Sequence, residues 1–442
     1  MAGSAPEKKR NAYIEASLSE LKSGGPQIKQ LALMSIGDIG RKVNLSSHKG
    51  LDQIVFSSFE EESQSIRASA SYALGSITAG SLSSYLVGLL QLLDKRREYS
   101  YLLLRSVREV VSCYFGRSDE IAQFTPQIFA ALVKHTDSKE DAVRGEVAEC
   151  LGGLAKIEPE KTIKFLHDSL SSKTPFTRAV AVGALRYSLS DEVQKVVGTR
   201  FGQFLRMFED SDLEVRRQAI LTFEAVLKTT DLINKAENSK LMESVVLQTL
   251  YQELEPNQNF IRIMDAGALK IRIDKHLPLR RAAFDTLATI VRACPYRLDM
   301  DEFYQWTMQG VLDPEEDIVA RTWDMYFQIS QNPSLEASLR NLGAGKARKP
   351  ITDSKGKSVQ AMHKILLNFV KKKMITLKQA SSTETERASE CTKKALMTVF
   401  TMVEIPGMEQ AAEFTTLVGR IKQTKGIARE IEEANKALEA LR

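Results

Sequence analysis

Apolar residues recur along most of this chain three or four positions apart, behind short polar turns, which predicts a succession of amphipathic helices. One motif returns: an apolar residue beside Arg or Lys, then small residues a helical turn on. It stands as IKQLALMSIG (Ile28, Lys29, Ala32), IRASASYALG (Ile66, Arg67, Ala70) and VRGEVAECLG (Val143, Arg144, Ala148). It returns as TRAVAVGAL (Arg178, Ala181), VRRQAILTF (Val215, Arg216, Ala219) and LRRAAFDTL (Leu279, Arg280, Ala283), with a weaker copy from Ile318 to Phe327.

The basic residues Lys29, Arg67, Arg144, Arg178 and Arg216 are 38, 77, 34 and 38 residues apart. The long step spans two units, the intervening one being Tyr99–Val111, which lacks the Arg. A period near ~40 built from two helices is that of HEAT repeats. The expected fold class is therefore all-α, a HEAT-repeat α-solenoid (superhelix) with one inserted β-hairpin. Ser211 to Glu214 and Asp137 to Glu140 read as capping boxes, and Pro314 as a first-turn proline. Small residues (Ala68, Ala70, Ala181, Ala219, Ala282, Ala283) suit close helix approach. The recurring basic residue can pair with a turn carboxylate of the next unit. Stacked apolar faces must supply most of the stability, since one helical pair cannot bury its own face.

Two stretches interrupt the period. Between Arg216 and Arg280 the step lengthens to 64 residues, and the excess carries a strand pattern. Ile261, Arg262 and Ile263 alternate, as do Leu269, Lys270, Ile271, Arg272, Ile273 and Asp274, around Met264–Ala268. A hairpin closed by a three-residue loop with Gly267 in the left-handed position fits this pattern. The alternation predicts Ile261, Ile263, Leu269, Ile271 and Ile273 on one face and Arg262, Lys270 and Arg272 on the other. An isolated hairpin is marginal in water, so its apolar side needs a surface. Its own helices or a partner would serve, and the residues leave both open. The second interruption, Asn341 to Lys357, is rich in Gly and Lys and reads as a flexible basic loop. Gly345-Lys346 fails as a phosphate loop: Arg340 stands where Gly is needed and Ala347 where Ser or Thr is needed.

Composition narrows the chemistry. The chain has 442 residues, 61 basic against 56 acidic, 12 Pro and 24 Gly. A net charge of +5 over this length makes no case for nucleic acid. The cysteines Cys113, Cys150, Cys294 and Cys391 lie far apart without a CxxC pair, so a zinc ribbon is excluded and a reducing compartment is expected. The polar start and the lack of a long apolar run predict no secretory signal and no membrane span. His48, His135, His167, His276 and His363 are scattered, and no nucleophile elbow, dinucleotide loop or kinase signature occurs. Cys150, Trp306 and Trp323 read as packing residues. The expectation is no enzyme, no cofactor and no metal.

The blocks LALMSIGDIG (31–40), ASYALGSITAG (70–80), VAECLGGLAKIEPE (147–160), FEDSDLEVRRQAILTF (208–223) and LPLRRAAFDTLATIVRACPYRLDMDEF (277–303), followed by the VLDPEED turn (311–317), resemble a known family. It is the C-terminal part of the cullin-associated, neddylation-dissociated proteins, HEAT-repeat regulators of cullin–RING ubiquitin ligases. The similarity is colinear from about Leu31 onward. Usual members are far longer, so this chain is one half of a factor split over two genes or a fragment; Met1 with its polar leader fits a genuine start.

The resemblance implies that the chain wraps the N-terminal repeats of an unneddylated cullin. It implies that the hairpin enters the site of the substrate-receptor adaptor and competes with it, promoting receptor exchange and governing assembly of the SCF complex. By position, the contacts come from Ile261, Arg262, Ile263, Met264, Leu269, Lys270, Ile271 and Arg272. A separate N-terminal chain would cover the cullin's modification lysine, and a cytoplasmic and nuclear location follows. The resulting organisation is a polar leader (1–24), HEAT repeats (25–259), the hairpin (260–276), HEAT repeats (277–340), the basic loop (341–357) and C-terminal helices (358–442). Two other classes compete. A generic HEAT scaffold or nuclear-transport adaptor would bind a phosphatase or small GTPase and leave the hairpin idle. A nucleic-acid-binding solenoid would use Lys346 to Lys373, with affinity falling steeply in salt.

Overall fold

The computed structural model describes residues 7–198, 200–229, 232–234, 236–266, 269–332, 335, 382–404 and 412–441. The basic segment 341–357, its Gly345-Lys346 pair and Lys371 to Lys373 lie outside the described residues. The chain forms two units, one of Met1–Thr222 with Thr229–Leu232, the other of Phe223–Lys228 with Ile233–Arg442.

In the first unit, α1 (Glu7–Ser23), α2 (Pro26–Gly40), α3 (Leu51–Ser57), α4 (Gln64–Gly80), α5 (Leu82–Lys95) and α6 (Ser100–Ser112) come first. They are followed by α7 (Ser118–Ile121), α8 (Thr125–Val133), α9 (Asp141–Ile157), α10 (Pro159–Ser169), α11 (Pro175–Leu185), α12 (Asp191–Val197), α13 (Phe201–Arg206) and the start of α14 (Leu213–Thr229). The stretch read as a polar leader thus carries a helix that packs on α2, with Ile14 buried and Leu18 and Leu21 of the same stripe half-buried. The helices bearing the recurrent motif stack one on the next, α2 on α4, α4 on α6, α6 on α9 and α9 on α11, with the others packed outside them. Tyr99–Val111 takes its place in the stack as α6 without the Arg.

Shape permits this stacking. A Cβ on Gly80 would overlap the Gly40 carbonyl, and one on Gly152 would lie 2.6 Å from the Ala184 carbonyl. The buried faces are apolar throughout, among them Leu33, Ile36, Leu74, Ile77, Val107, Val147 and Leu151. Each such side chain stabilises by about 1.5–3 kcal/mol relative to exposure.

The recurrent basic residue explains the turns. Arg67, Arg144, Arg178 and Arg216 each donate through Nη1 to the backbone carbonyl six residues earlier: Glu61 at 2.9 Å, Ser138 at 2.7 Å, Ser172 at 2.9 Å and Asp210 at 2.8 Å. Two basic residues of the motif reach forward to a carboxylate of the next copy. Lys29 pairs with Glu61 at 2.6 Å, and Arg178 holds Asp210 through two bonds of 2.7 Å. Arg144 departs from the expected ion pair: its guanidinium lies 4.3 Å from the Phe176 ring centre, and its carboxylate partner is Asp141 of its own helix.

The predicted caps are corrected. Asp212, not Ser211, caps α14, its Oδ1 accepting from the Glu214 and Val215 amides. Before α9 no capping box forms; Ser138 Oγ accepts from the Glu140 amide while Arg144 occupies the Ser138 carbonyl. Pro314 precedes its helix rather than opening it, because Asp313 Oδ1 turns the chain by accepting from the Glu315 amide.

The second unit contains α15 (Ala236–Leu241), a π-helical stretch (Met242–Leu247), α16 (Gln248–Gln252), β1 (Ile261–Ala266), β2 (Leu269–Asp274), α17 (Leu277–Ala293), α18 (Met300–Thr307) and α19 (Glu316–Ser330). It ends with α20 (Ser382–Val403), α21 (Ala412–Lys422) and α22 (Ala428–Leu441). Here α17, α19, α20 and α22 stack in turn. Trp323 and Tyr326 are buried in α19, and Trp306 stacks on Tyr251 with ring centres 5.9 Å apart. Cys150 is buried in the first unit, and burial pushes its thiol well above the ordinary range, as suits a core residue.

Burial works to raise the Asp210 pKa, but the Arg178 and backbone hydrogen bonds outweigh it and hold the carboxyl below its ordinary value. Asp210→Asn is therefore expected to lower stability at neutral pH by about 1–3 kcal/mol. With a depressed folded pKa, that contribution is complete above the ordinary value of 3.8 and is lost as pH falls through the lower folded value. Urea unfolding of both proteins from neutral pH to about pH 3 should show the gap closing only at the acid end.

Candidate functional site

The strands form where isoleucines alternate with polar residues, a pattern suited to a pleated ribbon. Their antiparallel register pairs Ile261 with Asp274, Arg262 with Ile273, Ile263 with Arg272, Met264 with Ile271, Asp265 with Lys270 and Ala266 with Leu269. Met264 to Ala266 are thus strand rather than loop, and two residues separate the strands instead of three. That single residue changes the faces. Directly paired residues share a face, so Ile261 and Ile263 lie with Arg272 and Asp274. Ile271 and Ile273 lie with Arg262 and Met264. The expected all-isoleucine face does not exist; a one-residue change in loop length turns one strand's side chains over relative to the other's. Leu269 and Lys270 are placed by the register, while their side chains lie outside the described residues.

The apolar side chains above the base are open to solvent: Ile263 is 68%, Met264 52%, Ile271 47% and Ile273 36% exposed. The hairpin's own helices therefore leave much of its apolar surface uncovered.

At its base the ribbon is wired in. The Phe260 carbonyl accepts from the Lys275 amide at 3.1 Å, and the Phe260 ring stacks on His276 with centres 6.1 Å apart. His276 is buried, with Nε2 2.6 Å from Glu253 Oε2. Asp274 Oδ1 accepts from the His276 amide at 2.9 Å, and its Oδ2 lies 3.3 Å from Arg280 Nη2. Arg280 is wholly buried and donates through Nη1 to Asp313 Oδ2 at 2.6 Å. Nearer the surface, Arg272 Nη1 donates to Glu315 Oε1 at 2.9 Å. Burial raises the Asp313 pKa, an effect that the Glu315 amide and Arg280 offset only in part.

These base residues were missed as site residues in the sequence. A signal was present: the Arg280 guanidinium takes the residue six places earlier, the spacing of the other copies, but finds the Asp274 side chain instead of a carbonyl. Among the described residues no group of three or more His, Cys, Asp or Glu side chains could hold a metal ion. Among the same residues no helix is long and apolar enough to cross a membrane.

Helical pairs stacked at this period define the chain as a HEAT-repeat solenoid carrying a β-hairpin, and solved structures agree. A structure of Kap95p bound to RanGDP matches 99% of this chain and 56% of its own, with TM-score 0.60 and 11% identity. A crystal structure of importin beta matches 99% of this chain and 54% of its own, with TM-score 0.58 and 14% identity. Both likenesses concern the fold alone.

Sequence comparison adds named relatives. Residues 239–422, which include the hairpin, match the family model described as TATA-binding protein interacting (TIP20). Cullin-associated NEDD8-dissociated protein 1 of Arabidopsis thaliana is 31% identical over 95% of this chain and 33% of its own length. That of Drosophila melanogaster is 28% identical over 89% of this chain and 30% of its own. A relative in Emericella nidulans is the C-terminal part of such a protein, 28% identical over 69% of this chain and 29% of its own length. The chain is thus a homologue of the cullin-associated NEDD8-dissociated proteins, as its motifs suggested. It spans about a third of the length of the curated relatives it matches.

Arg280→Met would leave the Asp274 and Asp313 carboxylates buried without their guanidinium and is expected to cost about 3–5 kcal/mol. Met264→Ser, at an exposed position, should stay within about 0.5 kcal/mol of the parent. Urea unfolding followed by hydrogen exchange in α17 and α19 checks both.

Proposed function

We propose that this chain is the C-terminal part of a HEAT-repeat regulator of cullin–RING ubiquitin ligases. In this reading it binds a cullin that lacks the ubiquitin-like modifier and uses its hairpin to occupy the site of the substrate-receptor adaptor. The observation that carries the reading is a two-stranded ribbon anchored by buried ion pairs at its base and exposing Ile263, Met264, Ile271 and Ile273 above it. The cullin-associated relatives supply the partner's class.

The mechanism is exclusion without a covalent step. The helical repeats hold the cullin elsewhere while hairpin and adaptor contend for one surface, so a short-lived complex contains all three. Coupling of this kind is reciprocal: the factor weakens the adaptor by as much as the adaptor weakens the factor. A coupling of ~3–5 kcal/mol, expressed in dissociation, speeds adaptor release by ~200–4,000-fold. Receptor exchange follows from binding energy alone.

The hairpin can be removed without disturbing its anchor. Because the Phe260 carbonyl meets the Lys275 amide at 3.1 Å, residues 261–273 can be replaced by a short Gly link that keeps Asp274. That variant should keep the parent's urea midpoint and cullin binding but lose adaptor displacement. Displacement at the parental rate would defeat the reading.

The reading includes a separate N-terminal chain, and a surface on α2 supports it. Ile66, Val143, Val215 and Leu279 occupy the motif position of Ile28 and are all buried, whereas Ile28 is half-exposed. Leu31 is 66% exposed, and Met34 stands at the position where Tyr72 reaches back to Asp38 of the preceding copy. Ile28, Leu31 and Met34 therefore form a stacking face of the kind that a preceding helical pair covers. Leu31→Glu should weaken capture of the N-terminal chain at least tenfold in a titration by light scattering while leaving unfolding unchanged; undiminished capture would count against this partner.

A further inference from the structure

A two-stranded ribbon joined to its body at one end has little stiffness of its own, so something must set its angle. Both ionic ties beyond the base leave from one face. Arg272 and Asp274 lie on the face of Ile261 and Ile263, opposite Met264, Ile271 and Ile273. Arg272 reaches Glu315, and Asp274 reaches Arg280, which in turn holds Asp313. The two acceptors sit in one short turn before α19, closed by the Glu315 amide on Asp313 Oδ1 at 2.8 Å. Arg272 is the outermost of these ties, about a third exposed, with its Nη2 also 3.8 Å from Asp274 Oδ2.

We infer that Arg272 is a positioning residue: clasped to Glu315, it fixes the angle at which the hairpin leaves the helices. That angle sets how the exposed Ile263, Met264, Ile271 and Ile273 meet the partner. The functional part of the inference rests on the docking role proposed above, whereas the angular part does not. A pair this exposed adds little to global stability. Its effect lies in orientation, because it acts some distance along the ribbon from the pivot at Phe260 and Lys275.

The test uses the full chain with Met264→Cys and Ala293→Cys as spin-label sites and Cys113→Ser removing the half-buried thiol; the other three cysteines are buried. Pulsed electron paramagnetic resonance then measures the distance distribution between hairpin and α17. Arg272→Ala and Glu315→Ala should each broaden it without moving the urea midpoint, the double variant should be no broader than either, and Arg272→Lys should restore most of the width. Unlabelled Arg272→Ala should slow adaptor release about two- to fivefold, the range expected of one such pair. An unchanged distribution in the single variants, additive broadening in the double, or parental release despite broadening would each overturn the inference. If replacing residues 261–273 leaves release untouched, the docking role fails separately, and the distance distributions alone decide the role of Arg272.

Discussion

The turns of the structure depend on a basic side chain set at the start of most motif-bearing helices. Arg67, Arg144, Arg178 and Arg216 all close the turn behind them by bonding the carbonyl six residues earlier. A carbonyl left buried and unpaired there would cost free energy. A guanidinium meets the need and has further donors for a second partner. What lies ahead varies, a carboxylate for Arg178 and an aromatic ring for Arg144, so the contact tolerates sequence drift. The staple fixes the turn at the start of each of these helices. The buried Leu, Ile and Val faces supply most of the energy, and close approaches such as Gly80 against Gly40 bring those faces together.

The same device explains how a β-hairpin sits within a helical array. The insertion ends at Asp274, six residues before Arg280, where the other copies place the acceptor for their staple. The hairpin thus plugs into a position the repeat already uses. Because Arg280 also holds Asp313, the ribbon's last residue, the start of α17 and the turn before α19 share one buried charge. Separating any of them would strand a charge in a desolvated site.

The ribbon's faces follow from parity. With Ala266 paired to Leu269, odd positions on β1 oppose even positions on β2. Ile263 is thereby parted from Ile271, and Met264 becomes the partner of Ile271. The outcome is one face tied to the helices through Arg272 and Asp274, and another that carries Met264, Ile271, Ile273 and the charge of Arg262. A loop one residue longer would have put all the isoleucines together and left the charged side chains opposite them.

Much of this was legible in the chain itself. The period of apolar residues, the Arg at each helix start and the switch to alternation after Phe260 are local patterns, and local sterics suffice to turn them into helices and strands. Other features were not. Whether Ser211 or Asp212 caps a helix, and whether three residues or two close the hairpin, differ by a single position that propensity does not resolve. The buried linkage of Glu253, His276, Asp274, Arg280 and Asp313 joins residues up to sixty positions apart in the chain. Sequence alone determined which segments coil, which extend and which residues carry charge. Only the tertiary structure decided which charges meet and which side chains share a face of the ribbon, because pairing and burial depend on distances in space that no local pattern encodes.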